Sequence, residues 1–219
     1  MKNLVLIAAL LVSFSAIAQD MSHAEVVSAE ANLSLELQED SALEDLNPYA
    51  ADIEDQLRAM DEVYERETGL SAFLEIPANQ NKAAGCTRNT CKVWLDVNKS
   101  TQRARILVDG VVKYSDLLIS SGAPAHPTPN FETHPNGRVY DQYSSSKFPG
   151  GDYNGLGNMP YAVFIRGGFA VHGTPRGNWA RLGSRASHGC IRIHPDNARI
   201  FNRLVRSVGV AQTWISVHN

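Results

Sequence analysis

Two stretches in the second half of the chain alternate apolar and polar residues about a two-residue turn, and this pattern restricts the fold more than any other feature. "RILVDGVVKYSDLLISSG", residues 105–122, reads as a hairpin turning at Asp109-Gly110. "YAVFIRGGFAVHG", residues 161–173, reads as a second hairpin with Gly167-Gly168 as its turn. "KVWLDVN" alternates Val93, Leu95 and Val97 against polar positions, and "TWISV" near the end reads as a closing strand. Asp196 is the expected cap of a short helix carrying Ile200, Phe201, Leu204 and Val208, with Gly209 ending it. Residues 121–159, rich in Gly, Pro, Ser and Asn, read as a long loop, and loops of that length in compact domains are usually functional. There are no internal repeats. The expectation is a mainly β domain, a sandwich or mixed sheet with short helices.

Charge divides the chain. Its 219 residues suit one domain with extensions rather than two full domains. The net charge of −3 combines −13 over residues 19–85, from sixteen acids and three bases, with +9 over residues 86–219, from seven acids and sixteen bases. The split predicts an acidic extension and a separate basic domain over 86–219. Residues 19–46 have little apolar content and read as largely unstructured. From Asn47 a helix is expected over about 48–68, with Asn47 as cap and Pro48 in the first turn. Ile53, Leu57, Met60 and Tyr64 recur at helical spacing, and Gly69 is the stop. This amphipathic helix is expected to pack on the basic domain. A spacer is its plainer role, and shielding of a basic cleft is the alternative.

Residues 1–18 read as an export signal. Lys2 supplies the positive start, "LVLIAALLVSF" the short apolar run, and Ala16-Ile17-Ala18 the small-x-small cleavage site. The run is short for a bilayer span, and a retained anchor is the alternative. Export to a bacterial periplasm or cell envelope bears on the three cysteines. Cys86 and Cys91, in "GCTRNTCK", fit a small disulfide-closed loop, which leaves Cys190 over as a reactive thiol or an intermolecular link. Pairing of Cys190 with either of the others would remove that role.

Cys190 lies in "RASHGCIRIH", residues 185–194. If "CIRI" is extended, Ile191 and Ile193 face the core and Cys190 and Arg192 point outwards together. Free thiols titrate near pH 8.5 and react as thiolates, so a nucleophilic cysteine needs a base. His172, which shares a strand face with Ala170, and His188 are both candidates on the residues alone. Backbone N–H groups at Gly189 and Cys190 offer an oxyanion site.

"VHG", followed after a further stretch by "SHGCIR", resembles the signature of the L,D-transpeptidase family, the YkuD-type catalytic domain; fourteen residues separate His172 from Ser187. "WLDVNKSTQRARILVDGVVKYSDLLISSG", "NMPYAVFIRGGFAVHG" and "RLGSRASHGC" resemble other parts of it, in order, over about residues 92–217. The resemblance implies an L,D-transpeptidase-like β fold with Cys190 as the acyl-accepting nucleophile and His172 as its base. It implies that the Gly173 carbonyl orients the imidazole, and that N–H groups of His188, Gly189 and Cys190 hold the oxyanion. Ser187, Arg192 and Tyr161 would stand at the substrate. The implied reaction is acyl transfer on peptidoglycan stem peptides, without cofactor or metal. Cys190 would attack the amide before the terminal D-alanine, and an amine would resolve the thioester as a 3→3 cross-link. Water or a D-amino acid as acceptor would make the chain a carboxypeptidase or exchange enzyme. An anionic stem suits the basic domain and Arg176, Arg181, Arg185 and Arg192. Nucleic acid is not an expected partner, nor is a membrane span after cleavage. "HPTPNFETH", residues 126–134, departs from the family's usual run at this place, and the extension has no counterpart in it.

Two other classes compete. His172, His188, Cys190 and His194 can be drawn as zinc ligands of a metallohydrolase, although no acid stands nearby as base. A non-catalytic wall-binding module would use the basic face with Tyr153, Tyr161 and Trp179. His23, His126, His134 and His218 are expected at the surface, and Trp94 and Trp214 in the core.

Overall fold

The computed structural model describes residues 46–74, 86–144 and 151–219. The export signal and nearly all of the stretch read as unstructured lie outside the described residues. Residues 43–219 cluster as one compact unit. None of the described helices is long and apolar enough to cross a membrane.

The elements run α1 (Ile53–Thr68), β1 (Val93–Asn98), β2 (Arg103–Val108), β3 (Val111–Ser120), β4 (Phe131–Thr133), β5 (Val163–Arg166), β6 (Phe169–Gly173), β7 (Ile191–Ile193), α2 (Pro195–Val208) and β8 (Thr213–His218), with a 3₁₀ turn over Arg176–Arg181. Eight strands form one mixed sheet in the order β4-β8-β1-β2-β3-β7-β6-β5. Both expected hairpins form. Asp109 and Gly110 have φ of 50° and 75°, as a tight turn matched to strand twist requires. The two parallel pairs are β1 with β8 and β6 with β7. β3 joins the halves of the sheet, pairing with β2 along most of its length and with β7 at Ile119 and Ser120.

Alternation along β5, β6 and β7 feeds two apolar clusters on opposite faces. Val163, Ile165, Val171, Ile191 and Ile193 join the main core with Phe201 and Val205 of α2. Phe164, Ala170 and Cys190 join a second cluster with Leu57, Met60 and Tyr64 of α1 and with Tyr140, Tyr143 and Met159 from the long loop. So α1 packs on the basic domain. Burial of its three core side chains is worth roughly 1.5–3 kcal/mol each, before the entropy of ordering them. A buried ionic contact fixes its register: Asp61 accepts from Arg138 Nε at 3.1 Å and from the Tyr140 hydroxyl.

Several expectations are corrected. Cys190 and Arg192 do not face outwards: they are 1% and 2% exposed, and Cys190 is covered by apolar residues of the extension. Helix α1 starts at Ile53 rather than near 48. Asn47 precedes a proline, which disfavours helical backbone there, and it closes a turn instead. Its Oδ1 accepts from the Tyr49 N–H at 3.0 Å, and its carbonyl from the Ala50 N–H at 3.1 Å. Gly69 does end α1, in the left-handed conformation, with its N–H on the Glu65 carbonyl. His194, not Asp196, caps α2, accepting from the Asp196 N–H at 3.3 Å. Pro195 takes the first helical position, where its missing N–H costs nothing. Trp94 and Trp214 lie half-buried on the outer face, where their indole N–H groups reach Ser216 and Glu132.

Candidate active site

The parallel pair β6–β7 sets the site. Val171 stands opposite Ile191 and His172 opposite Arg192, so one residue further back Ala170 stands beside Cys190. His172 and Cys190 are therefore diagonal neighbours on one sheet face, with α-carbons roughly 8 Å apart from strand spacing and rise. Both are buried.

His172 Nδ1 lies 2.7 Å from the carbonyl oxygen of Gly173. A carbonyl can only accept, so Nδ1 holds a proton, which leaves Nε2 as the ring's acid–base position. Gly173 is wedged in place. A Cβ there would fall 2.9 Å from both Pro160 Cγ and Pro195 Cα, and its N–H donates to the Pro160 carbonyl at 2.7 Å.

The turn before Cys190 is held by its own serine. Ser187 Oγ donates to the Cys190 carbonyl at 2.5 Å and accepts from the Gly189 N–H at 3.2 Å. Gly189 has φ of +119°, a conformation side chains with a Cβ rarely adopt, which explains glycine before the thiol. The loop after β3 supports this turn from outside. Thr128 Oγ1 donates to the Gly189 carbonyl at 2.7 Å and accepts from the Gly122 N–H at 2.8 Å. Arg192 reaches back to the Ala186 carbonyl at 3.0 Å. The Lys99 ammonium, 2.8 Å from the Thr128 carbonyl, is held below its ordinary pKa by burial and next by Arg185. Basic groups thus crowd the support of the thiol-bearing turn.

Three residues at the site carried no signal in the sequence beyond their polarity. Thr128 lies within the departing "HPTPNFETH" run, and its contact with Gly189 spans 61 positions. His126, expected at the surface, has its ring 4.9 Å from that of His188. Tyr143 lies in the thiol's apolar cluster, and its phenol is pushed well above the ordinary range by burial and next by the charge of Cys190. Tyr161 sits under the Arg203 guanidinium of α2, 5.6 Å from its ring centre. The Cys190 thiol donates to the Gly168 carbonyl at 3.4 Å.

Cys86 and Cys91 are joined as a disulfide, and Cys190 is the one cysteine outside it. Among the described residues, the side chains gathered at metal-ligand spacing are Cys86, Cys91 and His134, two of them already bonded to each other. The drawn zinc set is not among them, and His194 instead caps α2 and lies 4.4 Å from the Trp179 ring.

Solved structures similar to the chain include an L,D-transpeptidase from Mycobacterium smegmatis, at 25% identity and TM-score 0.44, covering 59% of each chain. One from Mycobacterium tuberculosis H37Rv has 22% identity and TM-score 0.46, over 59% of this chain and 58% of that one. One from Stackebrandtia nassauensis has 13% identity and TM-score 0.45, over 75% and 78%. The chain thus spans about three-fifths of the length of the first two. No curated protein matches it. The family model of the YkuD L,D-transpeptidase catalytic domain matches residues 92–212, more than half of the chain and all of β6 and β7, and the chain therefore belongs to the YkuD family.

Proposed function

We propose that the chain is an exported cysteine acyltransferase acting on peptidoglycan stem tetrapeptides. The observation that carries this reading is the placing of His172 diagonally from Cys190 on one face of the parallel strands, with Nδ1 tied to the Gly173 carbonyl. His172 Nε2 takes the thiol proton, and the thiolate attacks the carbonyl of the third, diamino residue of the stem. The negative oxygen of the tetrahedral intermediate is held by backbone N–H groups of the His188–Cys190 turn. Gly189 offers its N–H only when it turns from Ser187 Oγ. On collapse, His172 returns the proton to the amine of D-alanine, which leaves, and the acyl group remains as a thioester on Cys190. An amine of a second stem peptide then attacks the thioester, forms a 3→3 cross-link and restores the thiol.

Ser187 and Arg192 act in this reading by holding the turn that presents the thiol, whereas Tyr161, packed on the main core beneath Arg203 of α2, takes no part in it. The basic balance of residues 86–219 suits a donor with free carboxylates, and the chain's place of action is the periplasm or cell envelope.

The experiment is product analysis after incubation with disaccharide-tetrapeptide. Dimers joined 3→3 are the expected product. Tripeptide alone would make water the acceptor, and incorporation of an added D-amino acid would make the reaction an exchange. Wall binding without D-alanine release would replace the reading with a binding module.

A further inference from the structure

We propose that Leu46–Tyr49 is an intramolecular strap that occupies the donor cleft over Cys190, so that the chain folds in a self-shielded form whose thiol is accessible only when the strap lifts. The inference rests on the reading of Cys190 as the reacting group, and its test needs no wall substrate.

Four observations place the strap. The Leu46 side chain is 1% exposed and shares an apolar cluster with Cys190. Its carbonyl oxygen is 4.0 Å from Cys190 Sγ, so a peptide carbonyl of the chain itself stands where a donor carbonyl must come. Pro48 and Tyr49 lie against the turn before the thiol: a Cβ built on Gly189 would meet Pro48 Cγ at 2.9 Å and Tyr49 Cε2 at 3.2 Å. On the other side, a Cβ on Gly168 would meet Pro48 Cα at 2.9 Å. A donor peptide reaching the sulfur from this side collides with the strap.

The strap and its anchor are held differently, which permits one to move without the other. Helix α1 is fixed by Leu57, Met60 and Tyr64 and by the Asp61 contacts with Arg138 and Tyr140. Tyr49 is 47% exposed; its hydroxyl donates to the Pro127 carbonyl and its ring meets Phe169 edge-on at 5.2 Å. The strap buries Leu46 and Pro48, fewer groups than the three core side chains and the ionic contact that hold α1, so lifting Leu46–Tyr49 is the smaller opening and leaves α1 docked.

The test is the rate of Cys190 alkylation by iodoacetamide, read by intact mass on the full chain with its disulfide kept. Native chain is compared with Tyr49→Ala and Pro48→Gly, each shown folded by its thermal transition. The expected result is slow labelling of the native thiol and acceleration of about tenfold or more in both variants, as for a local opening made easier by 1.4 kcal/mol per tenfold. Native labelling as fast as a small free thiol, or no acceleration in the variants, overturns the strap. Should a variant unfold, amide exchange of the native chain before and after carbamidomethylation decides. The adduct should strip protection from 46–51 and spare 53–68, and unchanged protection of 46–51 overturns the proposal. Failure of D-alanine release with these labelling results intact would instead tell against the acyl-transfer reading.

Discussion

The carbonyl oxygen of Leu46 lies 4.0 Å from the sulfur of Cys190, although 144 positions separate them. The thiol sits at the end of a strand whose other face is solid core, and the extension has closed the face it opens onto.

His172→Asn should abolish base function while keeping an amide N–H near the Gly173 carbonyl. Loss of a positioned base costs about 10²- to 10⁴-fold. Acylation rates should fall by that range. Single-turnover kinetics checks this.

Gly189→Ala should destabilise the fold by about 1–3 kcal/mol, since alanine is strained at a φ of +119°. The new methyl also collides with Pro48, so labelling of Cys190 should quicken as stability falls. Urea unfolding and alkylation on the same samples separate the two effects.

Asp61→Ala should cost roughly 1–3 kcal/mol, because it leaves the buried Tyr140 hydroxyl without its acceptor, while Arg138 keeps Glu54 at 3.7 Å as a second carboxylate. Tyr140 keeps its proton far above the ordinary range, by burial first and then by its bond to Asp61, so it cannot supply the missing charge. A drop of that size in urea unfolding free energy checks this.

The His218 imidazole is held above its ordinary pKa, chiefly by the Asn219 carbonyl and then by Asp96 at 2.9 Å. A pKa raised on folding means stability that is complete below the unfolded value near 6.5 and lost as pH rises through the folded value. Native chain should therefore exceed His218→Gln in stability at pH 5.5, with the gap closing above neutrality. The side chain is 41% exposed, so the gap should be small and shrink with salt. Thermal midpoints across pH at two salt concentrations measure it.

The two hairpins were legible because Asp109-Gly110 and Gly167-Gly168 carry their own turn chemistry between alternating strands. The choice of His172 over His188 as the partner of Cys190 was legible only through the family resemblance, since alternation gives each residue a face but left both histidines open. Burial of Cys190 was not, because period-two alternation names the two faces but not what covers them. The cover comes from Leu46, in a stretch whose composition reads as unstructured, and from a helix whose docking face is visible but whose docking place is not. Thr128 and His126 escaped for lack of local pattern, since their contacts at Gly189 and His188 depend on tertiary return of the long loop. Asn47 misled because a good cap residue before proline suits a turn as well as a helix.

The most direct test of Cys190 as the acyl-bearing nucleophile is intact-mass analysis of the full chain with disaccharide-tetrapeptide, run beside Tyr49→Ala and Cys190→Ala. The expected result is an acyl adduct on Cys190 with D-alanine released, forming faster in Tyr49→Ala and not at all in Cys190→Ala. A Tyr49→Ala chain whose thiol labels readily with iodoacetamide, yet carries no acyl group and releases no D-alanine, would contradict it.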